Sequence, residues 1–99
     1  MPYPDERVVG TAAPTGPAVG AVTTEVLAAN QARISAVFVN DSAEAMYLAR
    51  GVPAVMHRGI RLNAYGGAYE INKTNLFLGA VNAICASGGM VLCVDEGVE

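Results

Sequence analysis

His57 is the chain's only histidine. It heads the stretch "HRGIRLNAYGGAYEIN", residues 57–72, together with Arg58, Arg61 and the pair Gly66-Gly67. A general base must lie within hydrogen-bond reach of the proton it takes. No Ser or Cys motif of recognisable spacing accompanies His57, so it reads as a surface or subunit-contact histidine. Cys85 and Cys93 sit inside apolar runs, where desolvation disfavours the thiolate a nucleophile needs. Their spacing, with no other Cys or His nearby, also lacks the form of a metal site. Asp95, Glu96 and Glu99 carry the oxygen ligands a calcium ion favours, but no glycine-punctuated acidic loop frames them. Gly66-Gly67 precedes neither a helix start nor a phosphate-binding lysine. No catalytic residue, metal site or cofactor site is therefore expected, and the chain does not read as an enzyme.

Composition points elsewhere. Of the 99 residues, 53% are hydrophobic on an inclusive count and only 15% are charged. One domain is expected, and it is apolar for a small protein that must stay soluble alone. Part of its surface is expected to be covered by other subunits. A formal net charge of −3 argues against a nucleic-acid partner, which calls for a basic excess or stripe. The charges are unevenly spread. Arg50, His57, Arg58, Arg61 and Lys73 share their stretch with the single acid Glu70, while the tail "VDEGVE" is acidic. These are either two solvated patches or surfaces that pair between neighbouring copies.

No cationic start leads into an apolar segment, so a signal peptide is not expected, and the two N-glycosylation sequons at Asn40 and Asn72 read as chance matches. The uncharged run Leu76–Val94 approaches the ~20 residues of a spanning helix. Asn82 and Ser87-Gly88-Gly89 interrupt it, so a membrane partner is not expected. Two short strands joined in a hairpin are expected there instead. Register in that hairpin would decide whether Cys85 meets Leu92 or Cys93. Free, buried thiols are the expectation, since cysteine is among the most buried residue types.

Residues 1–21 hold four of the five prolines and three glycines. Proline lacks a backbone donor and glycine costs ordering entropy, so this segment reads as an extended arm, held by its own domain or by a neighbouring subunit. Residues 22–99 form the domain proper. "VTTEVLA" (22–28), "RISAVFV" (33–39), "AMYLA" (45–49) and "VPAVM" (52–56) read as short strands separated by turns. In the second, Ile34, Ala36 and Phe38 share one face, with Ser35 and Val37 opposite. Pro53 confines the fourth to an edge or a strand's start. The stretch "SAEAMYLAR" (42–50), with Ser42 as a cap, is the one helical alternative. "GIRLN" and "AYEIN" alternate around Gly66-Gly67 and predict a hairpin with Arg61 and Glu70 paired across it. With turn signals at close spacing and no βαβ alternation, the fold class is all-β: an antiparallel β-sandwich or jelly-roll-like barrel with an extended N-terminal arm. Tyr65, at the tip of the predicted hairpin, is the aromatic most exposed by pattern.

The run "VFVNDSAEAMYLARG…GIRLNAYGGAYEINKTNLFLGAVNAICASGGMVLCVDE", residues 37–96, resembles the small virion proteins of tailed bacteriophages. The likeness lies in "VNDS" before a "MYLA" strand, then "GIRLN-x-x-GG-x-YEI" and "TNL…GAV-AI…SGG…L-V-E". It implies a β-rich homo-oligomer in or on the capsid, as cement, decoration or minor structural protein. The partners implied are the major capsid protein and further copies of the chain, with a trimer suiting threefold positions. The expected location is the phage head surface, after synthesis in the host cytoplasm. Expected contact residues are Pro2, Tyr3, Pro4, Arg7, Pro14 and Pro17 in the arm, with Arg58, Arg61 and Tyr65 in the loop region. The alternative is a receptor- or glycan-binding β-module of a tail or fibre.

Overall fold

Residues 8–99 are described by this computed structural model, and within them the alternating runs become nine strands. They are β1 (Thr11–Thr15), β2 (Ala18–Val19), β3 (Thr24–Leu27), β4 (Arg33–Asn40), β5 (Met46–Arg50), β6 (Ile60–Leu62), β7 (Ala68–Ile71), β8 (Val81–Cys85) and β9 (Met90–Val98). No helix occurs among the described residues. The helical alternative at 42–50 is thereby overturned, because Met46–Arg50 pairs on both sides as a central strand.

All pairings are antiparallel and fall into two sheets. One has the order β1-β9-β4-β7, with β2 also pairing with β9, and the other has the order β3-β8-β5-β6. Their inner faces form a shared core of Ala36, Phe38, Ile71, Leu92 and Val94 from the first sheet against Met46, Leu48, Leu62, Val81, Ala83 and Cys85 from the second. The protein is a β-sandwich. Alternation along β4 follows the sequence expectation: Ile34, Ala36 and Phe38 are buried and Val37 is exposed. Each large side chain fully withdrawn from water contributes about 1.5–3 kcal/mol.

Both predicted hairpins are corrected. β6 and β7 do not pair with each other: β6 pairs with β5, and β7 with β4 in the other sheet. Arg61 therefore stands opposite Tyr47, and Glu70 opposite Val37, so the expected Arg61–Glu70 pair does not form. Gly66-Gly67 instead makes a corner between sheets. It is closed by backbone bonds from Gly66 N to the Asn40 carbonyl (2.8 Å) and from Asn40 N to the Gly67 carbonyl (2.8 Å). A Cβ on Gly67 would run into the backbone of Asn63, so only glycine fits there. β8 and β9 likewise lie in different sheets. Cys85 faces Met46 and Cys93 faces Val39, and both thiols are free. Cys85 is buried as expected, but Cys93 is exposed, because it occupies the outward phase of β9.

The Pro/Gly-rich segment lies along its own sheet where it is described. β1 runs beside Val94–Val98 and β2 beside Met90 and Val91. Val19 is fully buried and belongs to the core, whereas β1 is exposed throughout and carries Pro14. An edge strand is where proline is tolerated.

Two polar side chains are buried within the sandwich. Arg33, at 0% exposure, donates from Nε to Glu96 (2.6 Å), from Nη1 to the carbonyls of Phe77 (2.7 Å) and Gly79 (3.0 Å), and from Nη2 to that of Ala28 (2.6 Å). Asn40 donates to the carbonyls of Glu44 and Leu62 and accepts from Ser42 Oγ. No buried side-chain nitrogen or oxygen among the described residues lacks a partner, as a stable interior requires.

Candidate functional site

"VPAVM", expected to be a strand, is not one. Residues 51–59 leave β5 and fold as a flap over the outer face of the second sheet before β6 begins. Gly51, at φ 74°, starts the turn, and its N–H donates to the Ala80 carbonyl (2.8 Å). Along the flap, Asn82 Nδ2 donates to the Val52 carbonyl (2.8 Å), Ala54 N to Thr23 Oγ1 (2.8 Å), and Arg58 N to the Val55 carbonyl (3.1 Å). Beneath it, Ala54 packs with Tyr47 and Ile84, joined by Ala45, Ala49 and Met56, in a second small core. Residues that point away from the main core are thus buried as well. This accounts for the unbroken apolar run in β8, where Ala83, Ile84 and Cys85 are all buried.

The flap ends in a polar cluster. Tyr47 Oη and His57 Nδ1 lie 3.0 Å apart with their rings edge to face, and the Arg61 guanidinium sits 5.9 Å from the Tyr47 ring centroid. Arg61 also donates from Nε to Asn63 Oδ1 (2.9 Å). His57 adopts φ 65°, a left-handed conformation unusual for a residue with a Cβ. It fastens the flap by its ring. Arg58 lies beside a groove of about 410 Å³ that opens between the flap and the β5–β6 edge, walled by Arg50, Val52, Pro53, Val55 and Ile60. Val52 and Val55 are exposed.

Chemically, this wall offers apolar contact and two guanidinium groups. Arg50 reaches Tyr69 Oη at 3.5 Å, a distance at the limit of a hydrogen bond. Cys85 points into the main core, where Sγ approaches the Val19 carbonyl (3.4 Å), so it cannot serve as a nucleophile for His57. The acidic tail does not converge: Asp95 points outward and Glu96 turns inward to Arg33. Among the described residues no group of three His, Cys, Asp or Glu side chains is placed to hold a metal ion, and no helix is long and apolar enough to cross a membrane.

The residues expected to make contacts are scattered. Arg58 and Arg61 belong to the flap and its cluster, whereas Tyr65 stands apart on the 63–67 corner, 82% exposed and at φ 59°. Pro14 and Pro17 lie on the β1–β2 edge, with the Pro17 carbonyl accepting from Leu92 N (3.1 Å). Pro2, Tyr3, Pro4 and Arg7 lie outside the described residues. Sequence reasoning missed Arg50, Val52 and Val55 as lining of one groove. The available signal was Pro53 within "VPAVM", beside a β8 run too apolar for a one-sided strand.

Comparison with known protein families, curated proteins and solved structures finds no match to this chain.

Proposed function

We propose that this chain is a non-enzymatic structural protein of a phage virion. It works as a cement or decoration protein that stabilises the head by bridging major capsid subunits. The observation that carries this reading is the flap groove, a wall of exposed valine and proline framed by arginines that is suited to a protein surface. Such a wall gains about 25 cal/mol for each Å² of apolar area it buries, while ordering and docking costs remove much of that gain. A cement protein multiplies a modest contact by repeating it around the shell. The resemblance over residues 37–96 supports the same reading, as does the apolar composition.

The β1–β2 edge narrows what an arm can contribute. Strands β1 and β2 pair with β9 of their own chain, and Gly10 N donates to the Val98 carbonyl (2.8 Å). The proposed arm contact with the major capsid protein or a neighbouring copy therefore falls to the residues before Gly10.

The test is particle stability. Heads assembled without this chain are expected to disrupt at a lower temperature, and adding the purified protein should restore both occupancy and stability. Heads that neither bind the protein nor change in stability would sink the proposal. A second reading, the glycan- or receptor-binding module, is favoured by Tyr65 alone, since an exposed ring at a corner can stack on a sugar. Glycan binding abolished by Tyr65→Ala, with the protein placed at the tail, would support that reading instead.

A further inference from the structure

We propose that the two outer faces of this sandwich are complementary and that copies associate head to tail, the β7–β4–β9 face of one docking on the flap groove of the next. This rests on reading the chain as an assembly protein and assigns its self-contact.

The first face follows from register. On β4, Val37 stands between Glu70 of β7 and Asp95 of β9, and Asp95 has Pro14 of β1 on its other side. In the next outward row Val39 lies between Ala68 and Cys93. Glu70, Asp95, Ala68 and Cys93 are exposed, as is Val37. This is an apolar strip of two rows with a carboxylate on each side of Val37. Cross-strand Cβ atoms lie about 5 Å apart, so the two acids hold a roughly 10 Å span with a valine at its centre.

The flap groove carries the converse arrangement, exposed Val52 and Val55 with Arg50 and Arg58. Arg61 adds a third cation near this face, and the acid Glu25 lies at the far edge, on β3. Among the described residues the one ion pair is Arg33–Glu96, which is internal. Among the described residues Glu70, Asp95, Arg50 and Arg58 therefore have no ion-pair partner. The acids lie on the outer face of the first sheet and Arg58 on the flap that covers the second, while Arg50 stands at the edge between the sheets, its guanidinium 3.5 Å from Tyr69 Oη of β7. Opposed signs framing apolar centres steer docking and fix its register.

The faces differ, so the contact is heterologous and closes into a ring or extends as a filament. An interface of standard size needs about 800 Å² per partner. That is about one seventh of the 5558 Å² surface, so one protomer has room for both contacts.

Sedimentation velocity of the full chain tests this without any shell. The wild type should sediment as an oligomer at low salt and dissociate as salt rises. The double variants E70K/D95K and R50E/R58E should each weaken association by about tenfold or more. The quadruple variant, which reverses both faces together, should regain it. All four positions are exposed, so unchanged melting temperatures confirm folding. As a second measurement, a bismaleimide should join native Cys93 of one copy to the introduced thiol of Val55→Cys in another.

A wild type that stays monomeric at about 100 µM in low salt overturns the proposal. So does either double variant with undiminished association, or a folded quadruple variant that remains dissociated. Binding of the monomeric variants to heads reads the shell contact separately: variants that dissociate yet still occupy heads leave the cement role intact, whereas an oligomer that ignores heads removes that role and keeps the self-contact.

Discussion

Replacing Arg33 probes the sandwich where its sequence is least expected to be polar. The guanidinium is fully buried and makes four hydrogen bonds, one to Glu96 and three to the carbonyls of Ala28, Phe77 and Gly79. In Arg33→Met the stem is kept and the charge and donors are lost. Three carbonyls then lack their donor, each costing about 1–3 kcal/mol where water cannot replace it. Glu96, 16% exposed, regains some solvent and softens the loss. Breaking a buried pair by removing one partner costs about 3–5 kcal/mol, and that range is the expectation here. A domain of this size has a total stability of about 5–15 kcal/mol. At 4–8 °C per kcal/mol, the melting temperature should fall by about 12 °C or more. The loss should also loosen the flap. Arg33 holds the Phe77 carbonyl, and the Phe77 ring packs close to Gly51 at the flap's root. Hydrogen exchange should accordingly quicken at Gly51 N, which bonds to Ala80. Arg61→Met, which removes only an exposed guanidinium, is the control and should cost less than about 1 kcal/mol. If thermal denaturation showed Arg33→Met within 1 kcal/mol of wild type, the four-bond clamp would not be what orders these loops.

The two thiols should separate in a reaction with an aromatic disulfide reagent: Cys93 reacts in the native state, while Cys85 reacts only on unfolding, because one is exposed and the other buried. At His57 the positive φ sets two effects against each other. Alanine loses the Tyr47 bond and keeps the left-handed strain, whereas glycine loses the bond and relieves the strain. His57→Gly should therefore be more stable than His57→Ala by about 1 kcal/mol in denaturant titrations. The Glu44 carboxyl lies below its ordinary value because it accepts from Ser87 Oγ and then from Ser87 N, with desolvation opposing. A depressed folded pKa means that the tie between the 41–45 and 86–89 loops is present above the unfolded pKa and lost as pH falls through the folded one. An NMR titration should place the Glu44 midpoint below that of the denatured chain, with Ser87→Ala moving it upward.

Strand positions were largely legible in the sequence, and the way strands pair was not. Alternation fixes which side chains go inward, and in β4, β6 and β7 it did so correctly, whereas in β9 the expected buried Cys93 faces outward. It does not say which sheet a strand joins. Leu62 and Ile71 would share the inner face of a single sheet in a hairpin. In the structure they lie in opposite sheets and meet the same core. Both arrangements satisfy the pattern, and both want glycine at the bend. What separates them is long-range: the bonds from Gly66 to Asn40 and from Tyr65 to Ser42 tie the corner to a loop more than twenty residues earlier. Arg33 was hidden for a related reason. A cation at a strand's start reads as a solvated end until the 77–79 loop is seen to bring its carbonyls over it. The groove was half legible: Arg58 was singled out, but its apolar wall was assigned to a strand.

The flap also changes what the two sides of the molecule can do. A four-stranded sheet with one face in the core ordinarily leaves the other to water. On the second sheet that face carries Tyr47 and Ile84, too apolar to be left wet, and residues 51–59 cover them from within the chain. The cover exposes Val52 and Val55 in turn, so the apolar surface is moved outward and gathered beside Arg50 and Arg58. On the first sheet Val9 reaches over Gly97 at one end, while Val37, flanked by Glu70 and Asp95, and Cys93 in the next row stay exposed. One sandwich thus presents two dissimilar half-apolar faces with opposite charge. If deleting residues 52–57 with a short glycine bridge left a folded protein, hydrophobic dye should bind the bared Tyr47–Ile84 surface, and head-to-tail association should disappear with the groove.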